Sequence, residues 1–266
     1  MKKNNFLTNK YTLSVFILLV CLAADIFLHK GMSRVMLPES FTDKRSPAKF
    51  LKCEQPLLIT GKKWMKGINT VARIQELSSD AAGFEMDVYF DTAKNYLQVY
   101  HDTSVYALLN IEEILNQYKS RKLTSSIWLD FKNLGAGNEK ISLQYINGLT
   151  KKYDLKNKLI IESSHPQFLQ GFCDSGFFTS YYTPYFNPYK MSEEELVTQL
   201  DSMNAALNKY KVSALSGYYF QYPFLKKFFP NYPILTWTDN FSLSLVTNSF
   251  NKLMIADDHV KVVLFP

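Results

Sequence analysis

From residue 56 onward the chain repeats one pattern: a short run of β-branched and aromatic residues, then a stretch with helical spacing. The strand-like runs cover 56–60, 84–90, 126–132, 158–164, 177–183, 212–218, 234–238 and 260–265, with 96–100 as an excursion after the second. Helical segments fall between them, over 70–79, 111–122, 139–153, 166–174, 193–210, 222–229 and 243–256. The sharpest helix start is Ser192-Glu-Glu-Glu195, where a serine N-cap and a glutamate three residues on form a capping box. Eight strands separated by seven helices predict an α/β fold, a (β/α)8 TIM barrel. A doubly wound open sheet is the competing architecture, but the glycine fingerprint of a phosphate or dinucleotide loop is missing. The eighth strand ends at the last residues of the sequence, and part of 32–55 is expected to cover the flank its helix would occupy.

The N-terminal pattern is different. Lys2, Lys3 and Lys10 precede an apolar run from Tyr11 to Ala24; Asp25 interrupts it, and Ile26–Leu28 resume it before His29 and Lys30. A basic flank followed by an apolar segment predicts a signal peptide or signal-anchor over 1–30. The run is short against the roughly 20 apolar residues of a membrane span. Basic residues ahead of it place this end in the cytoplasm and the body of the protein outside, anchored or exported. Residues 31–55 hold Arg34, Lys44, Arg45, Lys49 and Lys52 with Pro38 and Pro47, and are expected to be a juxtamembrane linker, leaving 56–266 for the barrel. Cys53 and Cys173 would both be exported, and whether they pair depends on a distance that spacing in sequence does not give.

Composition narrows the function. A 47% apolar fraction with 15% aromatics excludes a disordered chain, and three cysteines in 266 residues exclude a disulfide scaffold. The net charge of +6 is uneven: residues 1–66 carry 12 Lys/Arg against 4 Asp/Glu, and the remainder 18 against 20. The barrel thus lacks the basic surface of a nucleic-acid partner, and none is expected.

In a TIM barrel, chemistry sits at the C-terminal ends of the strands. Glu85 and Asp87 are two apart on one predicted strand and therefore share a face, as do Asp130 with Lys132 and Glu162 with Ser164. Burying carboxylates without a partner costs several kcal/mol each. A divalent cation held by Glu85, Asp87 and Asp130 removes that cost, and an all-oxygen ligand set selects Mg2+ or Ca2+ over zinc. With His101 and Lys132 nearby, the set suits a negatively charged phosphoryl transition state. The same residues admit plainer roles: Glu85 and Asp87 paired to Lys66, Lys132 neutralising Asp130, and His101 as a structural histidine. His165 and His259 are expected at the surface or in caps. Among the aromatics of 177–189, half are expected in the core and half at the functional end, where they would stack on a sugar or a lipid glycerol.

Phe84-Glu-Met-Asp-Val88 followed by Val99-Tyr-His-Asp102 resembles the E-x-D and H-D motifs of the glycerophosphodiester phosphodiesterase superfamily, a phospholipase-C-like TIM barrel. Leu129-Asp-Phe-Lys-Asn133, Thr236-Trp-Thr-Asp239 and Val260-Lys-Val-Val263 fit its later strands. Trp64-Met-Lys-Gly-Ile-Asn-Thr70 is similar to the W-A-H-x-V-N-S segment of its menorin-like branch, which also carries D-F-K. The resemblance spans about 56–265 and implies hydrolysis of a phosphodiester (glycerophosphodiester, lipid or glycan phosphate). It implies Glu85, Asp87 and Asp130 as metal ligands, His101 as general acid/base, and Lys132, Asn69, Glu162 and Trp237 as substrate contacts. Lys66 stands where the family keeps its first catalytic histidine, and Gly67 where the phosphodiesterases keep an arginine. Lys66 is thereby a phosphate ligand, or an acid if burial lowers its pKa. The departure opens a second reading, a catalytically impaired barrel that binds a phosphorylated or glycan ligand.

Overall fold

The computed structural model describes residues 5–29, 51–101, 109–238 and 244–266. Asp102 and most of the linker, 31–50, lie outside them. The strands are β1 (Lys63–Met65), β2 (Gly83–Asp91), β3 (Tyr96–Val99), β4 (Leu109–Asn110), β5 (Ser126–Phe131), β6 (Leu159–Ser163), β7 (Phe178–Tyr182), β8 (Ala214–Tyr218), β9 (Ile234–Trp237) and β10 (Val260–Phe265). The helices are α1 (Asn5–Leu28), α2 (Val71–Glu76), α3 (Ile111–Ser120), α4 (Glu139–Tyr153), α5 (Gln170–Asp174), α6 (Glu193–Lys209), α7 (Tyr222–Phe228) and α8 (Leu245–Ala256). Eight strands run parallel in the order β1-β2-β5-β6-β7-β8-β9-β10, and β10 pairs back onto β1 to close the barrel. The upper half of β2 continues beyond the barrel and pairs antiparallel with β3, the predicted excursion, which in turn pairs with β4.

Period-two alternation on the strands produces two separate cores. Outward residues such as Phe84, Met86 and Val88 on β2 and Ile127, Leu129 and Phe131 on β5 meet the surrounding helices. Inward residues, among them Trp64, Trp128, Ile160, Phe178, Leu235 and Val262, fill the lower part of the barrel. At Gly83 an added Cβ would lie 2.2 Å from the Trp64 indole, so the start of β2 passes the ring only because it has no side chain.

The first predicted strand, 56–60, is not one; the strand is Lys63–Met65. Leu57 and Ile59 point up against the inner cluster, and the backbone between them is held from the barrel floor. Leu58 N donates to Asn157 O at 2.7 Å, and Leu58 O accepts from Ser126 Oγ at 2.5 Å. The segment is a plug across the N-terminal mouth. A plug and an inner strand both present every second residue to the barrel, so their sequences look alike. Ahead of it, Lys52 bridges to Val212, and Cys53 forms a disulfide with Cys173 at a Cα–Cα distance of 6.0 Å. Of the segment expected to cover the last strand, residues 51–55 thus run beneath the barrel.

Helix α1 contains a segment, Lys10–Leu28, long and apolar enough to cross a membrane, none of it buried.

Candidate active site

The acidic residues are placed by strand register. Parallel pairing sets Asp87 beside Asp130, Asp130 beside Glu162, and Glu162 beside Ser180, one row above the apolar filling. Glu85 sits one inward step below Asp87. Oxygens of Glu85, Asp87 and Asp130 lie within 4.8 Å of one another. Together with Lys66, His101, Lys132 and Glu162 they line a cavity of about 120 Å³ at the C-terminal end of the barrel, the end expected to carry chemistry.

Each carboxylate is held differently. Glu85 Oε2 accepts from Gly67 N at 2.8 Å, while Ile68 N donates to Glu85 O at 2.8 Å. Gly67 reaches this position with φ +69°, the left-handed region that favours glycine, so the residue after Lys66 turns its N–H onto the acid. Asn69 grips Asp87 twice: its Nδ2 donates to Asp87 Oδ2 at 2.6 Å, and its Oδ1 accepts from Asp87 N at 2.9 Å. Expected among substrate contacts, Asn69 is engaged as a carboxylate holder. Lys132 Nζ lies 2.7 Å from Asp87 Oδ1 and also donates to Asp130 Oδ2. The ion pair made by the carboxylates is therefore to Lys132 and not to Lys66. Lys66 is exposed, so the burial that an acid role demands of it is missing.

One ammonium does not balance this much buried negative charge. Burial, with the charges of Asp87 and Asp130, pushes Glu85 up to about 8. Burial also raises Asp130 against the opposing pull of Lys132. Glu162 is raised well above the ordinary carboxylate range, first by burial and then by Asp130. Burial pulls Lys132 down, but Asp130 and Asp87 outweigh it and hold the ammonium above its usual range. Glu162 Oε2 and Trp128 Nε1, both buried and both on the cavity, have no hydrogen-bond partner among the described residues. Crowded carboxylates with raised proton affinity beside unsatisfied buried polar atoms are what a site built around a further charged group looks like. The triad is able to hold a cation.

His101 is brought in by the β2–β3 hairpin. Antiparallel register sets Val99 opposite Val88, and Tyr100 N donates to Asp87 O at 3.3 Å. His101 therefore comes back down beside the acidic strand and lines the cavity, with its ring exposed at the mouth. The opposite wall is aromatic. Trp237 stands edge-on to Tyr218 (4.8 Å between centroids) and Tyr182 (5.4 Å). Tyr218 did not stand out in the sequence, although period two from the inward Ser216 on β8 carries it into the barrel. Among the aromatics of 177–189, Tyr181 and Phe186 are buried, Tyr182 lines the cavity, and Tyr185 is exposed. His165 is exposed beside a short 3-10 turn, and His259 contacts Asp257 at 3.3 Å, away from the cavity.

No family model and no curated protein matches this sequence. Solved structures do match. A glycerophosphodiester phosphodiesterase from Parabacteroides distasonis aligns with a TM-score of 0.53 at 16% identity, over 77% of this chain and 92% of that one. A putative glycerophosphodiester phosphodiesterase from Galdieria sulphuraria gives 0.53 at 11% identity, over 77% and 94%. A putative glycerophosphoryl diester phosphodiesterase from Silicibacter pomeroyi gives 0.52 at 12%, over 79% and 91%. At these identities the likeness concerns the backbone, and the fold of this chain is the TIM barrel of the glycerophosphodiester phosphodiesterases.

Proposed function

We propose that this protein is a membrane-anchored, phosphodiesterase-like barrel that hydrolyses a phosphodiester outside the cytoplasm, with Mg2+ or Ca2+ held by Glu85, Asp87 and Asp130. The observation that carries the reading is the convergence of those three carboxylates, Lys132 and His101 on one cavity at the C-terminal end of a barrel of this type. A bound cation would offset phosphoryl charge as a Lewis acid. Lys132, already fixed by Asp87 and Asp130, presents its remaining N–H to a phosphate oxygen. His101 carries the proton at the mouth, giving one to the leaving oxygen or taking one from the attacking oxygen. Asn69 keeps the Asp87 carboxylate in place, and Trp237 with Tyr218 and Tyr182 gives the substrate an apolar wall. Lys66, exposed at the edge, contributes positive charge to phosphate binding in the position where the menorin-like pattern has histidine. Export is supported by the Cys53–Cys173 disulfide, since such bonds persist in oxidising compartments. The N-terminal helix supports anchoring through its length and apolarity.

Full-length protein in detergent should hydrolyse bis(4-nitrophenyl) phosphate when Mg2+ or Ca2+ is added, and His101→Ala should lose roughly 10²-fold or more. Activity unchanged by His101→Ala rejects the proposed chemistry. The second reading, a phosphate- or glycan-binding barrel without turnover, is favoured by Lys66 and by the Lys132 ion pairs, which neutralise part of the site without an ion. It predicts saturable binding of a phosphodiester by wild-type protein that shows no hydrolysis.

A further inference from the structure

Asp25 interrupts the last turn of an apolar helix, where a carboxylate needs polar partners. Its carboxylate reaches the barrel. Asp25 Oδ2 accepts from Leu245 N at 2.9 Å and from Val246 N at 3.1 Å, the first two residues of α8. Those N–H groups have no partner within their own helix, and the helix dipole favours an anion beside them. Ser244, which caps α8 through Thr247 N at 2.9 Å, also meets His29 Nδ1 at 3.3 Å. The last turn of α1 is thus clipped to the start of α8 by two side chains, while the apolar segment before it is unburied among the described residues.

The place of this clip matters. Because α8 follows β9, its N-terminus lies at the C-terminal rim of the barrel, the end where the cavity opens. From Lys10 to Asp25 the helix rises about 22 Å, at about 1.5 Å per residue. The hydrocarbon core of a bilayer is about 30 Å thick. A span this short draws its polar end, and whatever is clipped to it, into the interfacial layer. Among the described residues, the same rim exposes the large side chains of Leu245 (63% accessible) and Tyr185 (66%). Tyr185 stacks edge-on at 4.9 Å against Tyr218 of the cavity wall. Leucine enters an acyl boundary readily, and tyrosine favours the head-group level.

We infer that the barrel docks on the bilayer by its C-terminal rim, held there by the Asp25–α8 clip, so that the cavity receives phosphodiesters presented in the head-group layer of that leaflet. This rests on the anchor reading of α1 given above, and it adds which face of the barrel the membrane covers. The test needs no catalysis. In full-length Cys21→Ser protein reconstituted into phosphatidylcholine/phosphatidylglycerol vesicles, a single fluorescent cysteine label is placed by Leu245→Cys, Tyr185→Cys or Lys156→Cys. Lys156 follows α4 at the opposite end of the barrel. Spin-labelled lipids should quench the first two labels and spare the third, and Asp25→Ala should abolish quenching at Leu245→Cys while the protein still floats with the vesicles. Equal quenching at all three positions, or none at the rim in protein that floats, overturns the orientation and leaves the anchor standing. Quenching that persists in Asp25→Ala overturns the clip. Failure of the protein to float overturns the anchor reading itself and the orientation with it.

Discussion

Lys132→Met probes the charge balance of the site, because the substitution keeps most of the stem and removes the ammonium. In the folded chain that ammonium sits 2.7 Å from Asp87 Oδ1 and contacts Asp130 Oδ2, with the lysine side chain 28% accessible and the two carboxylates 5% and 17%. Its loss leaves Glu85, Asp87 and Asp130 packed together without a positive partner. Removing one member of a buried ion pair costs about 3–5 kcal/mol. At about 2–4 °C per kcal/mol for a domain of this size, the melting temperature should fall by about 6–20 °C in buffer containing EDTA. A divalent cation supplies the same carboxylates with a partner, so millimolar Mg2+ or Ca2+ should recover half or more of the loss, and should stabilise the variant more than the wild type. The assay is thermal unfolding followed by circular dichroism, with and without cation. An equal loss in EDTA and in cation would show that ions do not reach these carboxylates, and no loss at all would show that Lys132 does not balance them.

Two further outcomes follow from the buried acid and the cross-link. Glu162 has its affinity for protons raised by burial and then by Asp130, so the stability it contributes is complete below the ordinary carboxyl range and is lost as pH rises toward its folded value. Glu162→Gln cannot ionise; its stability relative to wild type should climb with pH from about 5 upward, at up to about 1.4 kcal/mol per pH unit, read as a widening gap in melting temperature, and parallel curves would contradict a neutral Glu162. The Cys53–Cys173 bond closes a sequence separation of 120 residues; reductant should lower stability by about 2–5 kcal/mol, read as a drop in melting temperature that a Cys53→Ser/Cys173→Ser variant reproduces and that reductant does not deepen.

Much of the barrel was legible because its strands speak a two-letter code. In Phe84-Glu-Met-Asp-Val88 the apolar residues face helices and the acids face the barrel interior, so the alternation gave both the strand and the shared face of Glu85 and Asp87. The same code misled at 56–60, where Leu57 and Ile59 alternate to plug the barrel floor and the backbone bonds to the bases of other strands. His101, just after the predicted excursion at 96–100, could be read as near the acids, but its place beside Asp87 depends on a hairpin register between residues 88 and 99 that no local pattern states. Asn69 is a similar case: the resemblance implied a substrate contact, but its two bonds to Asp87 arise from the turn at Gly67 that follows β1. Asp25 read as a defect in an apolar run, because its partner lies 220 residues away at the start of α8.

The central claim, that Glu85, Asp87 and Asp130 together hold a divalent cation, meets its most direct test in anomalous diffraction from crystals of the full-length protein soaked in millimolar Mn2+. The account predicts one anomalous peak bonded to oxygens of those three residues, lost in Asp130→Asn; a well-ordered site with no peak there would contradict it.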